Sequence, residues 1–243
     1  MLRRYFLKSS TVTPILLTRP RMASSAPAKG GVLVSGGHPG DPEYGCGGTI
    51  AKFANAGYRV GILYLNRGEK GCGTASVNCG ITRTREAEDA CRILRAIPLF
   101  GKQIDGEAIV DNSAYAAFDD LIASQSPELI LTHWPIDNHR DHRAMSMLSY
   151  NAWSALKQHC SLYYYEVTDG DDTMMFSPTD YVDITAEEPI KRQACFAHSS
   201  QSPDHFYKLQ SDVTRFRGSQ VGYTHAEAFI RMSSSRAHPL LSW

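Results

Sequence analysis

At 243 residues, with 42% hydrophobic and 21% charged, the chain is long enough for one well-formed core and short for two. Its 25 Lys+Arg balance 25 Asp+Glu, so the basic excess of a nucleic-acid surface is missing and neither DNA nor RNA is an expected partner. No stretch reaches the roughly 18 consecutive apolar residues that a membrane span needs, so no integral membrane span is expected.

The amino end differs in kind from the rest. No acidic residue precedes Asp41, whereas Arg3, Arg4, Lys8, Arg19, Arg21 and Lys29 are basic, so residues 1–30 read as a targeting segment. Arg3 and Arg4 followed by Tyr5, Phe6, Leu7 and Lys8 fit a twin-arginine export signal. Residues 12–17 would be its apolar region and Ala26-Pro27-Ala28 its cleavage site. The expected location is therefore exported and periplasmic. A mitochondrial transit peptide, or a basic tail on a cytoplasmic protein, is the alternative.

Residues 31–243 show no repeat or low-complexity linker and read as one domain. Val32, Leu33 and Val34 make a short apolar strand buried on both faces. Gly36 and Gly37 end it and deliver His38, Pro39, Gly40, Asp41, Pro42 and Glu43, after which a helix is expected from Thr49 to Gly57. Val60, Ile62, Leu63 and Leu65 form the next strand, closing a βαβ unit. A long Gly-rich loop over 66–81 then has the length to cover a pocket. Helices are expected over 82–96, 114–124, 143–158, 187–197 and 206–218, and strands at Leu129-Ile130-Leu131, 162–167 and 181–184. The six cysteines include no C-x-x-C pair, which argues against a zinc knuckle; Cys72 and Cys79 share the Gly-rich loop and would be bridged in an exported protein.

The strand at Leu129 delivers a second polar cluster, Thr132, His133, Trp134, Pro135, Ile136, Asp137, Asn138, His139, Arg140, Asp141 and His142. A catalytic zinc takes three His or carboxylate ligands and keeps an open position. His38, Asp41 and one histidine of this cluster supply such a set at strand ends, where open α/β folds collect ligands. The turn after the first strand is GGHPGD and not G-x-G-x-x-G, so a dinucleotide is not the expected cofactor.

The pairing of HPGDPEYGCGGTIAKF with THWPIDNHRDH resembles the zinc-dependent N-acetylglucosaminyl deacetylase superfamily called LmbE-like or PIG-L. The resemblance extends to Arg83 with Glu86, to the segment Ala197-His198-Ser199-Ser200-Gln201, and to Ala226-Glu227-Ala228-Phe229. It implies a three-layer, Rossmann-like α/β fold with a mainly parallel sheet and the site at the carboxyl ends of the strands. It implies Zn2+ on His38, Asp41 and His142, with His139 stabilising the oxyanion or protonating the leaving amine and Asp141 orienting an imidazole. Arg83, Trp134 and His198 would meet an amino-sugar substrate, although Arg83 and Glu86 alone read as a surface ion pair and Trp134 also suits packing. Removal of an N-acetyl group is the implied activity. A metal- and sugar-binding relative with lost or weak hydrolysis, or a hydrolase of non-sugar amides or esters, is the alternative. A homo-oligomer is compatible with all of these.

One departure bears on the chemistry. The family turn is His-Pro-Asp-Asp, its first aspartate credited with deprotonating the attacking water, and this chain has Gly40 there. Asp137 is the first candidate to replace that base, with Glu43 and Glu69 behind it.

Overall fold

The strands of this chain are apolar on both sides, and the fold answers with helices on both faces of one sheet. The computed structural model describes residues 29–73, 78–157, 159–167 and 172–241. The proposed export signal lies outside the described residues. The elements in order are β1 (Gly31–Gly36), α1 (Asp41–Asn55), β2 (Arg59–Tyr64), α2 (Cys79–Leu94), β3 (Ile97–Phe100), α3 (Asn112–Ser124), β4 (Pro127–His133), α4 (Arg140–Leu156), β5 (Ser161–Tyr165), β6 (Asp180–Asp183), α5 (Glu188–Ala197), α6 (Pro203–Val221) and β7 (Ala226–Arg231).

The seven strands lie in the order β3-β2-β1-β4-β5-β7-β6. Pairings from β3 to β5 are parallel, while β7 runs antiparallel to both β5 and β6. Alternate residues of each strand feed opposite layers. Val32, Val34, Val60, Ile62 and Leu131 pack against α1, α2 and α5. Leu33, Leu63, Ile130 and Leu162 pack against α3 and α4, whose Phe118, Met145, Leu148 and Trp153 form the second core. The strand order reverses between β1 and β4, so a crevice opens at their carboxyl ends, and both polar clusters fall there.

The helix expected from Thr49 begins eight residues earlier, so Asp41 belongs to its first turn. A break divides it at Cys46, whose φ of −147° is not helical. In an unbroken helix the Gly48 N–H would donate to the Tyr44 carbonyl. Here Gly48 N donates to Glu227 Oε1 at 2.9 Å and Thr49 N to Glu227 Oε2 at 2.7 Å. Lys191 Nζ donates to the Tyr44 carbonyl and to Glu227 Oε1, both at 2.6 Å. A buried ion pair from α5 and β7 is thus inserted into the helix ladder. Gly48 is required beside it, because a Cβ there would lie 2.7 Å from Ile184.

Two strands escape sequence patterning. β3 carries Pro98 and reads as a break, and β7 carries Glu227 where a core strand would carry an apolar residue. The second exception follows from the ion pair just described. Cys72 and Cys79 form a disulfide in the Gly-rich loop, of which residues 74–77 lie outside the described residues.

Candidate metal centre

β1 ends at Gly36 and β4 at His133, and each hands the chain to a turn that opens a helix. The α1 turn provides His38 and Asp41, and the α4 turn provides Asp137, His139, Asp141 and His142. His38 and His142 converge on one carboxylate oxygen. Asp41 Oδ2 accepts from the His38 backbone N at 2.7 Å, and lies 3.3 Å from His38 Nδ1 and 3.1 Å from His142 Nε2.

Each of the two histidines has its other ring nitrogen held by a carboxylate. His38 Nε2 lies 3.2 Å from both Asp141 Oδ2 and Asp105 Oδ1, and His142 Nδ1 lies 3.0 Å from Asp137 Oδ1. A carboxylate behind the far nitrogen fixes the tautomer and aims the near nitrogen forward, as it does for metal-bound imidazoles. Asp141 is itself held by Asn66 Nδ2 at 3.0 Å and the Gly106 N–H at 2.7 Å.

The electrostatics follow from this crowding. Burial alone would lower the His142 pKa, but the charges of Asp41 and Asp137 and their hydrogen bonds outweigh it and push it up to about 10. His38 is raised in the same way, against burial, by Asp41, Asp105 and Asp141. Asp41 is held well below the carboxylate range, against burial, by the charges of His142 and His38. Without an ion the cluster keeps protons where a divalent cation would sit.

Two further histidines, His133 and His139, are bonded within the cluster. His133 stacks on His142 with centroids 4.1 Å apart, and its Nε2 lies 3.3 Å from Asp41, so it belongs to the cluster in space. Yet that nitrogen accepts the Gly37 N–H at 3.0 Å, which commits its lone pair. Burial, then the charge of His142, pushes its pKa down to about 4. His139 caps α4: its Nδ1 accepts the Asp141 N–H at 3.2 Å, so the ring proton sits on Nε2. Among the described residues, the ligand-type sets whose atoms lie within 4.8 Å of one another are His38-His139-His142, Asp41-His133-His142 and His38-Asp105-Asp141. None of these sets holds His38, Asp41 and His142 together, but Asp41 Oδ2 lies within 3.3 Å of a ring nitrogen of each histidine, and a His/carboxylate donor set of this kind fits a divalent cation such as zinc.

Two adjoining cavities meet at Asp41 and Arg83. The polar one, about 350 Å³, is lined by His38, His139, His142, Asp105, Lys70 and Gly71, so the Gly-rich loop does wall the site. The other, about 160 Å³, is lined by Gly40, Tyr44, Val167, His198, Gln201 and Phe206 among others.

Several expectations change against this geometry. Arg83 and Glu86 are no surface pair: both are buried, Arg83 donating to the Pro39 carbonyl at 2.7 Å. Glu86 accepts from Ser199 Oγ at 3.0 Å and from Ser200 N and Oγ, each at 2.7 Å, tying α2 to the turn after His198. Trp134 is not brought to the site. It packs edge-on against Tyr164 and Phe176 and lines neither cavity.

Asp137 is a poor base, because Oδ1 takes the His139 N–H and His142 while Oδ2 takes the Thr173 hydroxyl at 3.0 Å. Glu69 is bonded to Arg67, and Glu43 to Tyr64 and Gly40. Sequence reading missed Asp105, Asn66 and the place of His133. The first two come from loops that no pattern ties to the cluster, but His133 stands next to it in sequence and ends the strand that carries it.

Fold and cluster together define an α/β protein with His and carboxylate side chains of the type that bind metals gathered at its switch point. The chain belongs to the PIG-L family: residues 33–153 match the family described as PIG-L: GlcNAc-PI de-N-acetylase. An Escherichia coli K12 protein called uncharacterized deacetylase YaiS is 29% identical over 144 residues, 56% of this chain and 75% of its own. The diacetylchitobiose deacetylase of Thermococcus kodakarensis is 25% identical over 218 residues, 78% of each chain. The fold matches that of the N,N'-diacetylchitobiose deacetylase from Pyrococcus horikoshii, solved with its inhibitor MPG, with a TM-score of 0.74 at 22% identity over 84% of each chain.

Proposed function

We propose that this protein is a zinc-dependent hydrolase that removes an N-acetyl group from an amino sugar or an amino-sugar conjugate. The observation that carries this reading is the pair of histidines, His38 and His142, each backed by a carboxylate and each turned toward Asp41. When bound there, zinc would supply a water of lowered pKa and an electrophilic centre for the acyl carbonyl.

The chain's own residues would do the rest. His139 presents Nε2–H into the polar cavity, placed to donate to the oxygen of the acyl group as it becomes negative. Asp141 and Asp137 hold the two ligand imidazoles in place. Arg83, at the junction of the two cavities, would meet the hydroxyls or carboxylates of the substrate.

A second reading, a metal- and sugar-binding protein with weak hydrolysis, is favoured by Gly40, which supplies no carboxylate where the family has one. One experiment separates them. Zinc-loaded protein is incubated with N-acetylglucosamine, diacetylchitobiose, an N-acetylglucosaminide conjugate and a set of non-sugar acetamides, and released acetate is measured. Turnover on the sugar substrates supports deacetylation. Zinc and sugar binding without acetate would establish the binding protein, and turnover on the acetamides alone a non-sugar hydrolase.

We also propose export through the Arg3-Arg4 signal, in keeping with the Cys72–Cys79 disulfide, a bond that persists in oxidising compartments. Lys substitution at both arginines should strand the precursor inside a bacterial cell, and equal export would contradict the route.

A further inference from the structure

Glycine at position 40 enlarges the smaller of the two cavities. A Cβ built on Gly40 would stand 3.8 Å from Tyr44 Cδ2 and 3.9 Å from His198 Cδ2, and both rings are walls of that cavity. The aspartate of the family turn would therefore put a carboxylate into this space, where the glycine puts nothing. The volume, about 160 Å³, corresponds to roughly five water-sized groups.

The walls present mostly carbon. His198 turns its Cδ2–Cγ edge toward Gly40, while both its nitrogens are closed to solvent and Nε2 lies 3.4 Å from the buried Glu43. Tyr44 packs in an apolar cluster with Cys195, Tyr207 and Phe206, and Val167 is buried. The polar heads at the border are bonded to the protein itself. Arg83 donates to the carbonyls of Pro39 and Gly68, and the Gln201 amide to Ser200 Oγ and the Gly71 carbonyl. The neighbouring cavity is opposite in character, with Lys70, Asp105 and Asp172 among its walls. Asp41, on whose Oδ2 His38 and His142 converge, borders both. A ligand whose scissile bond sits at Asp41 thus has a charged space on one side and an apolar one on the other.

Resting on the deacetylase reading above, we propose that the smaller cavity is an acyl-chain pocket and that the preferred substrate is an amino sugar carrying an N-acyl group longer than acetyl, a short linear chain such as butyryl. The sugar takes the polar cavity, where its hydroxyls meet charged partners, and the chain takes the apolar one. An acetyl methyl would leave most of that volume unfilled. In the hydrolysis, the water oxygen bonds to the acyl carbon and the C–N bond breaks as a proton from that water passes to the nitrogen. The products are the free amino sugar and the short-chain carboxylic acid. Each methylene buried in the pocket favours binding and turnover by about fourfold.

The test is a chain-length series. Zinc-loaded protein is given N-acetyl-, N-propionyl- and N-butyryl-glucosamine, and the free amine is measured. kcat/KM should rise about fourfold with each methylene, about 15-fold from acetyl to butyryl, and a series that stays flat or falls overturns the proposal. Val167→Phe, which fills the pocket from a position outside the metal cluster, should bring the butyryl-to-acetyl ratio back near one; Phe206→Trp does the same from another wall where Val167→Phe fails to fold. A ratio is independent of the fraction of protein folded, and a ratio unchanged from wild type overturns the pocket. Should none of the sugars be hydrolysed, the deacetylase reading fails and calorimetric binding decides the pocket by itself. N-butyrylglucosamine binding about 15-fold more tightly than N-acetylglucosamine supports it, and equal affinities overturn it.

Discussion

Gly40 shows how one residue can be read two ways. As a sequence difference it is a missing carboxylate, so restoring aspartate would be expected to restore rate. In the structure its φ is +111°, a conformation that side-chain-bearing residues rarely adopt. Strain of this kind is of order 1–3 kcal/mol, so Gly40→Asp should lower the melting temperature by roughly 2–10 °C. It should also add nothing to turnover, and a variant that melts with wild type and hydrolyses faster would refute this. Asp137 carries the second prediction at this scale. Because it holds His142 Nδ1, Asp137→Asn should weaken zinc affinity by about 10–100-fold. Competition with a chelator measures this directly. Unchanged affinity with lost turnover would return Asp137 to the role of base.

At the scale of elements, the break in α1 is what sets the first turn, and with it Asp41, against the sheet. Lys191 and Glu227 hold that break, and both are buried. Removing one member of a buried pair costs about 3–5 kcal/mol because the other is left uncompensated. Glu227→Ala should be the worse of the two, since it also orphans two helix N–H groups. Loss of the exposed Lys70–Glu107 pair should cost about 1 kcal/mol or less. Thermal melts of the three variants check the order, and equal losses would contradict it.

The same element shows where sequence reading stops. β1, β2, β4 and the periodic helices were legible because an apolar run or a 3.6-residue stripe reports burial by itself. The start of α1 was not, because its first turn is built of Pro, Gly and charged residues whose partners come from α5 and β7, more than a hundred residues away. The cluster of ligand-type side chains was legible for the opposite reason: His38, Asp41 and His142 lie in the turns at two strand ends. His198 was legible only through a resemblance, and its 3.4 Å approach to Glu43 exists only in three dimensions.

Across the whole molecule, the metal cluster couples protons to binding and folding. His142 has its pKa raised from 6.5 to about 10, and His38 is raised as well. The stabilising effect of His142 on the metal-free fold is fully present below about pH 6.5 and is lost as pH rises through about 10, and that of His38 is lost in the same direction. The melting temperature of metal-free protein should therefore fall across that window, and zinc, which displaces the same protons, should bind more tightly as pH rises. Flat profiles by calorimetry and chelator competition would contradict the assigned cluster. The central claim is that His38, Asp41 and His142 hold one ion while His139 faces the substrate. Metal content of purified wild type, His142→Ala and His139→Ala tests it most directly. One equivalent of zinc in wild type and in His139→Ala, with none in His142→Ala, is the predicted result; a full equivalent in both variants would contradict it.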